Sequence, residues 1–169
     1  MKIMKYSYRI IRIITGLFFI GFVSCKKEQP AVEYSPIFPI SGEWHTHVFE
    51  EGERIEGIFA LRTYNTADNL SDIAWFRLGA VAQSFGVLAK VKVDVANKTI
   101  IAGKYQNTLA VPADKTTIEI IEGKILLNAS TQPSNVVADS IYVKYKTAVD
   151  GNTYIVKGHR RTAWPQDQY

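Results

Sequence analysis

From Phe85 to Val95 the chain alternates: Phe85, Val87, Ala89, Val91, Val93 and Val95 share one parity, and Lys90, Lys92 and Asp94 the other. Successive side chains of a strand leave opposite faces, so this stretch predicts a sheet with one dry face and one wet face. The pattern continues from Ser41 onward, and nothing there has the 3.6-residue period of an amphipathic helix. Glu43–Phe49 and Ile55–Arg62 flank Glu51-Gly52, and Ile73–Leu78 reaches the long strand through Gly79–Ser84. Asn97-Lys98 predicts a turn into Thr99–Ala102. Thr117–Ile121 and Lys124–Asn128 flank Glu122-Gly123, which predicts a tight hairpin because glycine tolerates positive φ. Asp139–Thr147 and Thr153–Arg161 flank Asp150-Gly151-Asn152, a second hairpin. About eight or nine strands on short turns imply an all-β antiparallel meander, closed as an up-and-down barrel or folded as two sheets.

Two residues favour the barrel. Gly42-Glu43-Trp44 opens the first strand, and the phase of Tyr154 and Val156 carries through Gly158 to Arg160 in the last. In an up-and-down barrel these strands pair, which places a guanidinium over an indole, an arrangement favourable by roughly 0.5–2 kcal/mol. A Gly-x-Trp with a late Arg resembles the calycin superfamily of lipocalin-like barrels, and the resemblance implies a structural role for Trp44 and Arg160. Phase predicts Phe59, Leu61, Phe85, Val87, Val91, Ile118, Ile120, Ile125, Leu127, Ile141, Val143 and Tyr145 inside. An eight-stranded barrel has room for one small ligand. Phe59, Leu61, Phe85, Val87 and Tyr145 are the candidate wall, with Tyr64 and Trp75 at the mouth.

The N-terminus reads as an address. Residues 1–12 mix Lys and Arg with Ile and Tyr, and Ile13–Val23 is an uncharged apolar run of 11 residues. A bilayer span takes about 20, so the run predicts the core of a secretory signal over residues 1–24. Phe22-Val23-Ser24-Cys25 resembles the lipobox of bacterial lipoproteins, which implies acylation of Cys25, the single cysteine of the chain. Lys26–Ile40 carries Pro30, Pro36 and Pro39, so residues 25–40 are expected to be an extended tether between membrane and barrel. Lys26 after the cysteine, where an aspartate would mark inner-membrane retention in some bacteria, favours the outer membrane. Formal charge follows the same division. The chain carries +4, and Lys2, Lys5, Arg9 and Arg12 account for all of it. A neutral mature protein has no basic face with which to seek nucleic acid.

Candidate chemistry is sparse. No Gly-x-Ser-x-Gly elbow occurs. His45 and His47 alternate on the first strand and His159 lies on the last, so pairing of those strands would bring three imidazoles to one outer face, either as a zinc set or as exposed histidines. Asn65, Asp68, Asn69 and Asp72 crowd oxygen ligands into one loop, but without calcium-loop spacing, and such residues also cap their own turns. No cofactor is implied. Asn128-Ala129-Ser130 fits a glycosylation sequon, which has little meaning in an exported bacterial lipoprotein.

The resemblance narrows when the motifs are read in order. Gly42-Glu43-Trp44, Thr63-Tyr64-Asn65-Thr66-Ala67-Asp68-Asn69, Ala74-Trp75, Lys90-Val91-Lys92-Val93-Asp94 and Gly158-His159-Arg160-Arg161-Thr162 resemble the exported lipoproteins called lipid-binding putative hydrolases. Ala163 departs from that pattern, where glycine is expected. The resemblance implies a calycin-like barrel over residues 41–164, a tail at 165–169, a small hydrophobic ligand and a lipid anchor in the cell envelope. A solid barrel would instead imply an interaction module for an envelope protein or glycan, and a hydrolase follows from the family label alone.

Overall fold

In the computed structural model, which describes residues 31–81, 83–110 and 114–167, the alternating stretches become ten antiparallel strands. They are β1 (Gly42–Glu50), β2 (Glu53–Arg54), β3 (Phe59–Asn65), β4 (Ile73–Leu78), β5 (Val87–Asp94), β6 (Thr99–Ile100), β7 (Gly103–Gln106), β8 (Thr117–Thr131), β9 (Val137–Thr147) and β10 (Thr153–Arg160). The unit that holds them runs from Tyr34 to Tyr169. The expected signal segment at 1–24 and Cys25 lie outside the described residues.

The walls follow chain order, and β10 returns to β1, with Trp44 opposite Arg160 and Val48 opposite Val156. β6 and β7 act as one interrupted wall strand, because both keep the same register against β8 across the break at Ile101-Ala102. β2 is a short return on β1. Counted this way, the wall is a closed eight-stranded antiparallel barrel, as the alternation and the Trp44/Arg160 pair predicted.

Inside lie Trp44, Val48, Leu61, Phe76, Leu78, Val87, Val143, Tyr145, Tyr154 and Val156, each fully buried. The wall curves where glycine lets strands approach. At Gly158 a Cβ would collide with the His45 carbonyl oxygen and with Thr46, so the β1–β10 seam closes only on a residue without a side chain.

Three expectations need correction. Glu122-Gly123 is no hairpin: β8 runs unbroken from Thr117 to Thr131. Gly123 is there because a Cβ would sit 2.7 Å from the Ile100 Cβ of the neighbouring strand. Leu127 faces solvent at 47% exposure, because β8 slips register between Leu126 and Ser130. A bulge inserts unpaired residues and resets the phase beyond it. The expected tether at 25–40 is too long at its end. Ser35–Ser41 folds as a turn, with Ile40 N–H donating to Ile37 O, and buries Ile37 and Ile40 completely.

Candidate functional site

The barrel has two unlike ends. At one, Trp44 Nε1 donates to Thr63 Oγ1 at 3.1 Å, and that hydroxyl donates to Ile40 O at 2.7 Å. Arg160 Cζ lies 4.5 Å from the Trp44 ring centroid, its guanidinium donates to Ser41 O at 2.6 Å, and its Nε pairs with Asp139 at 3.0 Å. Gly42 lacks a Cβ at the place where one would strike this guanidinium. Together with Ile37 and Ile40, these groups shut that end. Trp44 and Arg160, expected to close the barrel, meet at this end.

Away from the closed end the interior becomes aromatic. Phe76 meets Tyr145 with centroids 6.3 Å apart, Tyr145 meets Tyr154 at 5.8 Å, Tyr154 meets Phe85 at 6.1 Å, and Phe85 meets Phe59 edge-on at 4.9 Å. The Tyr145 hydroxyl donates to Phe85 O at 2.5 Å. Burial holds that phenol well above its ordinary pKa, helped by Tyr154 and by the negative charge of Asp150. Phe59 is only partly buried, so this ring series reaches the surface at the other end.

A polar cluster lies over the rings. The Tyr154 hydroxyl is 3.0 Å from Glu50 Oε1, 2.9 Å from Ser84 Oγ and in contact with Asp150 Oδ2. Asn152 Nδ2 donates to Glu50 at 2.6 Å, and Thr147 Oγ1 donates to Asp150 at 2.8 Å. Desolvation, then the Asp150 acceptor, raises the Tyr154 pKa, so this phenol is neutral at physiological pH. Burial pushes Asp150 upward, but the hydrogen bonds from Tyr154, Asn152 and Thr147 outweigh it and hold the carboxyl below its usual value. A neutral phenol between carboxylates is a poor base for Ser84. The three histidines are on the outer side of β1 and β10, away from this serine.

The predicted ligand residues divide. Phe59, Leu61, Phe85, Val87 and Tyr145 are on the inner wall. Tyr64 and Trp75 are not at the mouth: they pair across β3 and β4 on the outer face, stacked at 6.4 Å with Lys90 Nζ 5.3 Å above the indole. The parity of Leu61, Thr63, Ala74 and Phe76, all buried, forces them outward. Phe76 and Tyr154 also line the inner wall, Tyr154 in the phase that leads to Arg160, and both lie outside the candidate ligand set. Glu50, Ser84 and Asp150 flank turns, where alternation carries no information.

The histidines also divide. His45 and His159 face each other at 5.8 Å, and His159 is 7% exposed, not solvent-facing as expected, because the C-terminal turn covers it. Its Nε2 is 3.3 Å from Asp167 O, and Asp167 also accepts from Ser134 and Thr162. His47 turns instead to Gly57 O at 3.3 Å. Among the described residues no three His, Cys, Asp or Glu are placed to hold a metal. In the 65–72 loop Asn65 Nδ2 donates to Asn69 Oδ1 and to Thr66 O, so those side chains serve their own turn.

Shallow depressions mark the outside. One of about 300 Å³ runs between Val136–Asp139 and Arg160–Trp164. Another of about 400 Å³ crosses Lys104, Glu119 and Lys146, where charge alternates from strand to strand.

A family model described as lipid-binding putative hydrolase matches residues 29–165, and the chain belongs to that family. Among curated proteins none matches the chain.

Proposed function

We propose that this family member is a lipid-anchored carrier that holds one small hydrophobic ligand in the aromatic half of its barrel. The family and the closed barrel support a ligand-binding barrel. The observation that carries the finer reading is the ring series from Phe59 to Phe76, continuous from a half-buried rim residue to the middle of the barrel. Phe59 and Phe85 would swing aside on entry, and each methylene that replaces them against Leu61, Val87 and Tyr145 contributes about 0.8 kcal/mol. The rim then selects the head group. Glu50 and Asp150 present negative charge and Tyr154 a neutral phenol, so a neutral or cationic head is favoured over a carboxylate.

Acylation of Cys25 supplies the anchor in this reading, and the outer membrane the location. Three acyl chains, or two, exceed the single chain that gives only reversible binding. Native mass spectrometry of the full chain released from membranes tests both parts. The expected spectrum shows a covalent acyl mass that Cys25→Ala removes, plus a smaller molecule lost on gentle activation. A fluorescent monoacylglycerol should bind more tightly than the matching fatty acid. Bare protein mass with no saturable binding of either probe refutes the carrier.

A further inference from the structure

We infer that the closed end of the barrel is a docking face for a neutral lipid bilayer, an inference that rests on the Cys25 anchor proposed above. The register puts Gly42 of β1 and Arg160 of β10 at that end, so the chain enters the barrel there and its C-terminal turn leaves there. Large apolar side chains stand exposed around it: Tyr34 at 61%, Val137 at 55%, Trp164 at 53%, Leu126 at 49% and Phe38 at 46%. Tyr34 and Phe38 stack on each other at 4.0 Å, and Val137 and Trp164 line the groove beside Arg160. Leu126 belongs to the same end, because it pairs with Ser140, and Ser140 with His159. Trp and Tyr, each with an apolar ring and a polar edge, favour the interface between head groups and acyl chains.

The occupant follows from the tether. Tyr34 lies nine positions after Cys25, and an extended chain of nine steps spans at most about 32 Å. An acylated Cys25 therefore keeps this end within that distance of the bilayer and gives it a high effective concentration there. Charge adds no demand for anionic lipid. Arg62 and Arg161 both pair with Glu43, at 3.1 and 2.8 Å, Arg160 pairs with Asp139, and residues 25–169 sum to zero formal charge. Docking rests on apolar contact and is insensitive to salt. The mouth then faces away from the membrane that holds the protein, and its ligand arrives from the aqueous side.

The acylated full chain, reconstituted in phosphatidylcholine vesicles with brominated acyl chains, provides the test. Bromine should quench tryptophan emission. Trp164→Phe should remove about half or more of that quenching, with no change in about 0.5 M salt. An acylated protein that is not quenched, or is quenched equally as Trp164→Phe, overturns the docking face and leaves the anchor standing. A concentration-dependent dimer that shields Trp164 from iodide without bromine quenching also overturns it, giving the face to a second copy. Absence of the acyl mass overturns anchor and docking together, whereas loss of the bound small molecule in the same spectrum bears only on the carrier.

Discussion

The pair Gly42→Ala and Arg160→Ala isolates the closed end. A Cβ on Gly42 collides with the Arg160 guanidinium, whereas the nearest other heavy atom is Trp44 Cε2 at 3.6 Å, an ordinary contact. The guanidinium must therefore move, and it is held by Ser41 O at 2.6 Å and by the Trp44 face at 4.5 Å. A hydrogen bond from a charged donor contributes about 1.5–3 kcal/mol and the ring contact about 0.5–2. The Asp139 pair is part-exposed and adds at most about 1 kcal/mol. Arg160→Ala should then cost about 3 kcal/mol, and Gly42→Ala about 2, in the range for overpacking a filled site. With Arg160 already truncated, Gly42→Ala should cost nothing, since alanine is also the better residue within a strand by about 0.5–1 kcal/mol. Urea unfolding of the four proteins, followed by circular dichroism, gives the coupling directly. Costs that add to within about 0.5 kcal/mol would show that Gly42 and Arg160 act independently and would refute the closure argument.

Other perturbations reach separate parts of the structure. Asn107 is fully buried, accepts from the Leu88 and Leu109 amides at 2.9 and 3.0 Å, and donates to Gly86 O at 2.8 Å. Asn107→Ala strands three backbone groups, at about 1–3 kcal/mol each, and should lower the stability measured by urea unfolding by at least about 3 kcal/mol. Burial holds His159 below its ordinary pKa, against the Asp167 carbonyl and with help from the charges of His45 and His47. The unfolded chain therefore takes up this proton more readily than the folded one. Stability should be full above about pH 6.5 and fall as pH drops from there toward the lower folded value. His159→Gln should flatten the urea midpoint over that window, and an unchanged slope would remove His159 as its source.

The strands were legible because one side of each meets water and the other does not, so parity reports the inner wall from Leu61 to Val156 with few errors. The failures occur where spacing between strands, rather than exposure, selects the residue. Gly123 reads as a turn residue but answers to Ile100 on the next strand, and that approach has no local trace in the chain. Leu127 reads as inward until the bulge after Leu126 resets the count. Tyr64 and Trp75 have the parity of the outer face, which takes them away from the mouth where they are expected. At the candidate site the rings of the wall were half visible, whereas Glu50, Ser84 and Asp150 converge from three turns on one phenol. Convergence of that kind is tertiary, and pattern along the chain does not record it. His159 looked solvent-facing because the segment that covers it, ending in Asp167, shows no periodicity.

The seam between β1 and β10 sets the order in which the molecule can be made. Ser41 and Arg160 lie 119 positions apart, so their contact closes nearly the whole domain in a single loop. Closing so long a loop costs entropy before the other pairings recover it, and topologies dominated by distant contacts fold slowly. Until β10 is present, β1 and β9 are both open sheet edges, the form in which strands recruit a neighbouring molecule. A chain interrupted before Thr153 is therefore a sheet with two adhesive margins, whereas the finished barrel has none. Keeping the polypeptide unfolded until its last strand is available is the condition under which this sheet closes on itself rather than on a neighbour.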